Sequence, residues 1–351
     1  MATQTLANLA NLLASNYGQL VVDSLVDSSG AHLKGLGTSI MPDLTITGRL
    51  RRNGRIFIGG AGSGDSGRYA AQWPVLHSVG TAASYSAGDA YPSATAAAYG
   101  NAALDWKRNW IAMEFDNLAA AAARGRSVVG GASIDAITRE FEGKLKALFS
   151  AIETQLYGSG AGNDITGVKS FMNASATYAG ISTTNGYWQP AVADKGAAAV
   201  TLDFMRELLR DMDDNNARPT EIWCSMLQWH KLQGLMDANI QYVDTNQGDL
   251  VVRSILFDGI PVYPIQSMSP AGVNDEIWFI DTDALELRFL PIAPSAGDVT
   301  VQTEASSFEG YPIGIDPVDS GTDSSSAVLK CYAQLVCLNP SKFGALVNLA
   351  V

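Results

Sequence analysis

Apolar and polar positions alternate with two different periods along this chain. The clearest three-to-four-residue period starts after Ser133 and runs through Ile134, Ile137, Phe141, Leu145, Leu148, Ile152 and Leu156. It predicts a helix over 133–157, with Ser133 as N-cap and Gly158 as stop. Such a rod is about 37 Å long. Arg139, Glu140, Glu142, Lys144 and Lys146 form its polar face. A second helical period begins at Thr201, with Leu202, Met205, Leu208, Leu209 and Met212 turned inward. EIWCS at 221–225 reads as a strand, followed by a helix that Ser225 and Gln228 open as a capping box. LVVRSILFDGIPVYPI at 250–265 reads as a hairpin turning at Asp258-Gly259.

The two-residue period dominates the tail, 276–338. Leu285, Leu287 and Phe289 alternate with Glu286 and Arg288, and Val299 and Val301 with Thr300 and Gln302. In the last strand Ala327, Leu329, Cys331, Ala333, Leu335 and Cys337 share a face opposite Lys330, Tyr332 and Gln334. Residues 73–116 read as a long two-stranded ribbon. In its second half Leu104, Trp106 and Trp110 share one face, and Asp105, Lys107 and Asn109 the other. Fifteen residues of strand reach roughly 50 Å. Alanine and glycine dominate the ribbon, so it builds no core of its own and must lie on another surface. Residues 1–67 read as an arm that neighbouring chains hold, opened by a short stripe at Leu6, Leu9, Leu12 and Leu13.

Composition narrows the class. The chain has 351 residues, 47% of them hydrophobic, which is enough for a sizeable core. Its net charge of −12 disfavours sequence-specific DNA binding, because phosphate repels it. The first twenty residues lack the basic start and long apolar run of a signal peptide, and no apolar run is long enough for a membrane span. Cys224, Cys331 and Cys337 read as buried apolar residues of a protein made in a reducing cytoplasm; 331 and 337 lie roughly 20 Å apart along one strand, too far to bond.

The chemistry-bearing motifs are weak. GAGSGDSG at 60–67 contains both G-x-G-x-x-G and the G-D-S-G of a serine protease. Pro74 interrupts the helix a dinucleotide turn needs next. His32, the only histidine upstream of Ser66, sits in a glycine-rich segment. The stretch therefore reads as an adaptable connector. His32, His77 and His230 are too scattered for a metal site. Asp211, Asp213 and Asp214 lack the turn glycine and terminal glutamate of a calcium loop, and Asp316, Asp319 and Asp323 read as a surface loop. No catalytic residue, metal or cofactor is expected. Four arginines within seven residues, Arg49, Arg51, Arg52 and Arg55, stand out in an acidic chain. They read either as an exposed turn or as an inter-subunit ion-pair cluster, with contact to packaged nucleic acid as a third reading.

The order of elements carries a resemblance. YSAGDAYPSATAAAYGNAALDWKRNW is similar to the extended loop, SIDAITREFEGKLKALFSAIETQLYGSG to the spine helix, and ARPTEIWCSMLQWHKLQGLMD with ILFDGIPVYPIQSM to the axial domain of the tailed-bacteriophage major capsid protein, the Hong Kong ninety-seven type. The resemblance runs from about Trp73 to the C-terminus. It implies an α+β phage major capsid fold. Its parts would be an N-terminal arm (1–67), an extended β-hairpin loop (68–116), a peripheral domain with a long spine helix and β-sheet (117–165 and 274–338), and an α/β axial domain (166–273 and 339–351). It implies a coat subunit that packs with itself into pentamers and hexamers of an icosahedral shell. The shell would enclose double-stranded DNA, be assembled in the host cytoplasm, and have scaffold, portal and decoration proteins as further partners. The arm begins within the first residues, so a separate scaffold, or none, is expected. Trp106, Lys107 and Trp110 join the four arginines as candidate inter-subunit contacts, and no lysine–asparagine crosslink through Lys107 is expected. An encapsulin-like compartment shell and a soluble enzyme using the 60–67 loop stay open as alternatives.

Overall fold

A computed structural model of the chain describes residues 44–58, 70–78, 98–116, 132–236, 255–269, 271–290, 292, 313–319 and 324–351. The leucine stripe at 6–13, the 60–67 loop, the ribbon tip and the strand expected around Val299 lie outside these residues.

The first element is a short helix, α1 (Ile46–Arg52), capped by Thr45, whose hydroxyl accepts from Gly48 N at 3.1 Å. Strand β1 (Ile56–Ile58) follows. Ile46, Leu50 and Ile56 are all buried. These residues, placed by their short apolar runs in a coreless arm, belong instead to the core. Strands β2 (Ala70–Ser78) and β3 (Ala98–Asp105) pair antiparallel and form the described part of the ribbon.

Strand β4 (Lys107–Asp116) leaves the ribbon. The expected two-stranded ribbon over 73–116 therefore divides at Trp106. Ala102 and Leu104 are buried before the break, Asn109 and Met113 after it. The buried set moves from even to odd positions, which a two-residue period allows only where a strand is interrupted. The shared face expected of Leu104, Trp106 and Trp110 is thus broken.

Helix α2 (Ala132–Leu156) is the long rod, beginning one residue ahead of its expected cap. After it come a short helix α3 (Val168–Phe171) and a small hairpin of β5 (Thr177–Tyr178) and β6 (Ile181–Ser182). Next are β7 (Ala191–Ala198), α4 (Leu202–Asp214), β8 (Glu221–Cys224), α5 (Met226–Met236), β9 (Ile255–Phe257) and β10 (Ile260–Pro264). Thr201 caps α4 through Phe204 N at 3.3 Å. Asp258 and Gly259 turn the β9–β10 hairpin with φ of 50° and 80°. Positive φ at both turn residues matches the strand twist, which is why Asp-Gly serves there. At α5 only half the capping box forms. Ser225 Oγ accepts from Gln228 N, while the Gln228 amide donates to Asn274 O at 3.0 Å and Ala350 O at 2.9 Å. The chain closes with β11 (Ile277–Ile280), β12 (Leu285–Leu290), β13 (Ile313–Asp319), β14 (Ser324–Cys337) and β15 (Gly344–Leu349).

Two sheets organise these elements. In the five-stranded sheet β14 is the axis: β12 and β13 share one edge of it, β4 takes the other, and β1 extends the sheet beyond β12. The odd positions of β12 and β14, Leu285 to Phe289 and Ala327 to Cys337, are buried, with Phe289 edge-on to Phe149 of α2. The six-stranded sheet runs β7-β15-β11-β8-β10-β9. β11 lies inside it, so Ile277–Ile280 of the 274–338 segment pairs with β8 (Glu221–Cys224) on one side and β15 (Gly344–Leu349) on the other. Both β8 and β11 are buried at every residue, because α4 and α5 cover one face of the sheet and the rest of the chain covers the other.

Candidate functional site

Two buried carboxylates bind α1 into the fold. Glu153 on α2 accepts from Ile46 N at 2.7 Å and Thr47 N at 2.9 Å, the open end of α1. It also accepts from Tyr157 Oη at 2.6 Å and Ser267 Oγ at 2.9 Å. Backbone N–H groups at a helix start have no partner within the helix, and a negative charge suits them. Burial, with the neighbouring Glu153 charge, pushes the Tyr157 hydroxyl well above its ordinary pKa. The second carboxylate, Glu221 at the start of β8, receives both arms of the Arg49 fork, Asn53 Nδ2 at 2.9 Å and Trp223 Nε1 at 2.7 Å. The Arg49 guanidinium also lies 3.7 Å over the Tyr263 ring. Burial works against its charge, but the bonds and charge of Glu221 and the contact with Tyr263 offset that and leave its pKa raised.

Arg49 is therefore 3% exposed and committed within its own chain. It is neither an exposed turn residue nor available to a neighbouring subunit. Arg55 forms an ion pair with Asp283, and Arg51 and Arg52 are half-buried. The cluster is divided: Arg49 turns inward to Glu221, whereas Arg55, beyond the end of α1, pairs with Asp283. The sequence reading missed Glu153 and Glu221. The available signal was a glutamate breaking into an apolar stripe, between Ile152 and Leu156.

The ribbon is rooted on its own body by aromatic rings. Trp73 donates to Leu338 O at 3.1 Å and packs 6.4 Å from Tyr178, which lies 5.5 Å from Phe171 and 6.3 Å from Trp188. Tyr178 Oη accepts from Cys337 N at 2.8 Å, and burial first, then Cys337, pushes its pKa well up. His77 stacks on Tyr187 at 4.9 Å and fills the space beside Gly100, where a Cβ has no room. Lys107, at the foot of β4, donates to Gly162 O at 2.8 Å, and Trp106 packs partly buried on the core.

On the even-numbered face of the five-stranded sheet Arg108 and Trp110 of β4 are exposed, whereas Arg288 and Gln334 on the same face are buried. Trp110 is 68% exposed and pairs across the strands with Lys330; next to them Arg108 lies 6.0 Å over the Tyr332 ring. Tyr99 on the ribbon is 72% exposed, and Leu76 on its partner strand is also exposed.

Among the described residues no group of three or more His, Cys, Asp or Glu side chains is placed to hold a metal ion. Asp211, Asp213 and Asp214 line the exposed end of α4. The three cysteines are free and buried, and burial pushes the Cys331 thiol up to about 12. No described helix is long and apolar enough to cross a membrane.

Comparison with known proteins agrees with this fold. No curated protein matches the chain. The cyanophage A-1(L) capsid asymmetric unit contains a similar chain, with 17% identity and a TM-score of 0.59 over 85% of this chain and 91% of the other. The capsid of a native GTA particle is similar at 10% identity and a TM-score of 0.53, over 85% and 89%. The SrpI encapsulin of Synechococcus elongatus PCC 7942 scores 0.47 at 10% identity over 72% and 78%, too low to bear on function. These likenesses show an α+β fold of the phage capsid type. The model of the family described as SU10 major capsid protein matches residues 120–350, well over half of the length. The chain belongs to the SU10 major capsid protein family and is a structural coat protein of a virion, not an enzyme.

Proposed function

We propose that copies of this chain pack into pentamers and hexamers of an icosahedral shell around double-stranded DNA. The observation that carries this reading is the open strip of Trp110, Arg108 and Tyr332 beside a ribbon that exposes Tyr99 and Leu76. Trp110, with Trp106 and Lys107 at the ribbon's foot, is the seat for a neighbouring copy. In this reading β2 and β3 are the described part of the extended loop. The peripheral unit is α2 with the five-stranded sheet, and the axial unit is the six-stranded sheet with α4 and α5. A net charge of −12 keeps the lining from clinging to DNA that must enter and leave. Scaffold, portal and decoration proteins are the further partners, and assembly takes place in the host cytoplasm. No covalent crosslink through Lys107 is expected; its amine donates to Gly162 O at 2.8 Å on its own body.

The test is expression of the full chain followed by electron microscopy and sedimentation. Wild type forms closed shells that dissociate to monomer mass in denaturant. Trp110→Glu forms none, while its free subunits melt as wild type does. A wild-type chain that stays monomeric at every concentration overturns the reading, as does a Trp110→Glu chain that still forms shells.

A further inference from the structure

The dipeptide Asn-Gly occurs twice in the chain, at 53–54 and 185–186. The backbone N–H that follows an asparagine, once it loses its proton, attacks the side-chain amide carbon, and glycine has no Cβ in the way. By sequence the two copies are therefore equal, and a difference in their reactivity comes from the fold. Attack needs a glycine nitrogen that no carbonyl holds, a carboxamide free to rotate, and water at the site.

The fold withholds the first two from Asn53. Gly54 N donates to Arg51 O at 3.1 Å, and the Asn53 carboxamide donates to the buried Glu221 carboxylate at 2.9 Å. At 185 neither restraint operates. Asn185 and Gly186 are both exposed. Among the described residues none accepts from Gly186 N, and the Asn185 carboxamide has only a long contact, 3.4 Å, to Tyr187 Oη. The turn around them is nonetheless firmly footed. Thr183 bonds to both Ala176 N and Ala176 O, Trp188 N donates to Asn185 O at 2.8 Å, and Thr183 and Trp188 are fully buried. What is left free is the pair of groups that react.

We propose that Asn185 is a site of spontaneous deamidation, selected over Asn53 by the fold. Solvent hydroxide takes the Gly186 N–H proton. The bond from Gly186 N to Asn185 Cγ forms and the Cγ–Nδ2 bond breaks. The amide nitrogen leaves as ammonia, taking a proton from water and returning the hydroxide. Water then opens the cyclic imide. Cleavage at Cγ gives aspartate; cleavage at the main-chain carbonyl gives isoaspartate, with the chain now running through Cγ. Either product adds a negative charge, and isoaspartate adds a carbon to the main chain. Both changes fall in the turn whose Tyr187 carries the stacked His77 of β2 at 4.9 Å. The root of the ribbon thus records the age of the subunit.

The experiment incubates free full-length subunits in mildly alkaline buffer and maps their peptides by mass spectrometry, with the two isomers separated. Asn185 is expected to gain the mass that exchange of NH2 for OH brings, as a mixture of aspartate and isoaspartate. Asn53 is expected to convert about 100-fold more slowly, because a neutral hydrogen bond and one to a charged group must both open first. In urea the two sites are expected to convert at similar rates. A Cβ at Gly186 meets nothing within 4 Å, so Gly186→Ala folds and melts as wild type does but loses most of the conversion at 185. Equal rates at 185 and 53 in folded subunits overturn the proposal, as does an Asn185 that converts only in urea. Aspartate without isoaspartate marks direct hydrolysis and overturns it too, and so does a Gly186→Ala chain that converts as fast as wild type.

Discussion

Replacing Glu153 with glutamine isolates the energy that holds α1 to the long helix. Glutamine has the same shape and keeps one oxygen for Ile46 N, Tyr157 Oη and Ser267 Oγ. Its amide nitrogen then meets Thr47 N, at present 2.9 Å from Glu153 Oε2, and sets donor against donor. A buried donor stripped of a charged acceptor costs about 1.5–3 kcal/mol. Loss of negative charge at the start of α1 adds about 0.3–1 kcal/mol. The sum is about 2–4 kcal/mol. At about 2 °C per kcal/mol for a chain of this size, free subunits melt about 4–8 °C lower. Urea unfolding of unassembled subunits measures the difference, and hydrogen exchange at Ile46 and Thr47 locates it. Ser150→Ala, at an exposed position of the same helix, is the control and stays within about 0.5 kcal/mol. Glu153→Gln subunits as stable as this control, with Thr47 still protected, refute the role given to the carboxylate.

Two glycines of the long-helix region respond in opposite directions. A Cβ at Gly143 meets nothing within 4 Å, so Gly143→Ala raises stability by about 0.5–1 kcal/mol. A Cβ at Gly167 would come within 2.6 Å of Gly158 O and 2.7 Å of Gln155 O, so Gly167→Ala lowers stability by about 1–3 kcal/mol in the same urea assay. Tyr157 and Tyr178 have raised pKa values, so the fold holds their protons more tightly than the unfolded chain does. The stability they add is complete below the unfolded value of about 10 and fades as pH rises above it. In an absorbance titration at alkaline pH these two hydroxyls ionise only together with loss of near-ultraviolet circular dichroism. The thiols of Cys224, Cys331 and Cys337, all raised by burial, give no reaction with an aromatic disulfide reagent at pH 8 until denaturant is added.

How much was legible depends on distance along the chain. Helix α4 and its Thr201 cap, the Asp258-Gly259 turn and the buried odd positions of β14 all follow from neighbours within a few residues. The partner of β4 does not. Met113 and Trp110 alternate as they would in a ribbon, and only the register of Ala327 opposite Met113 shows that β14 took the strand instead. The arginine cluster was visible, but its division was not. Arg49 turns inward because Glu221 lies 172 positions ahead, and Glu153 caps α1 from 107 positions ahead.

The sequence by itself determined the local periods, the turns, the order of elements and, through that order, the resemblance to a coat protein. These are consequences of backbone geometry and side-chain alternation, which act over one or two turns of chain. The tertiary structure decided which strands share a sheet, which charges are internal and which rings stay exposed. Burial and ion pairing depend on groups far apart in the chain, and only the closed core sets a carboxylate beside the helix start or guanidinium it stabilises.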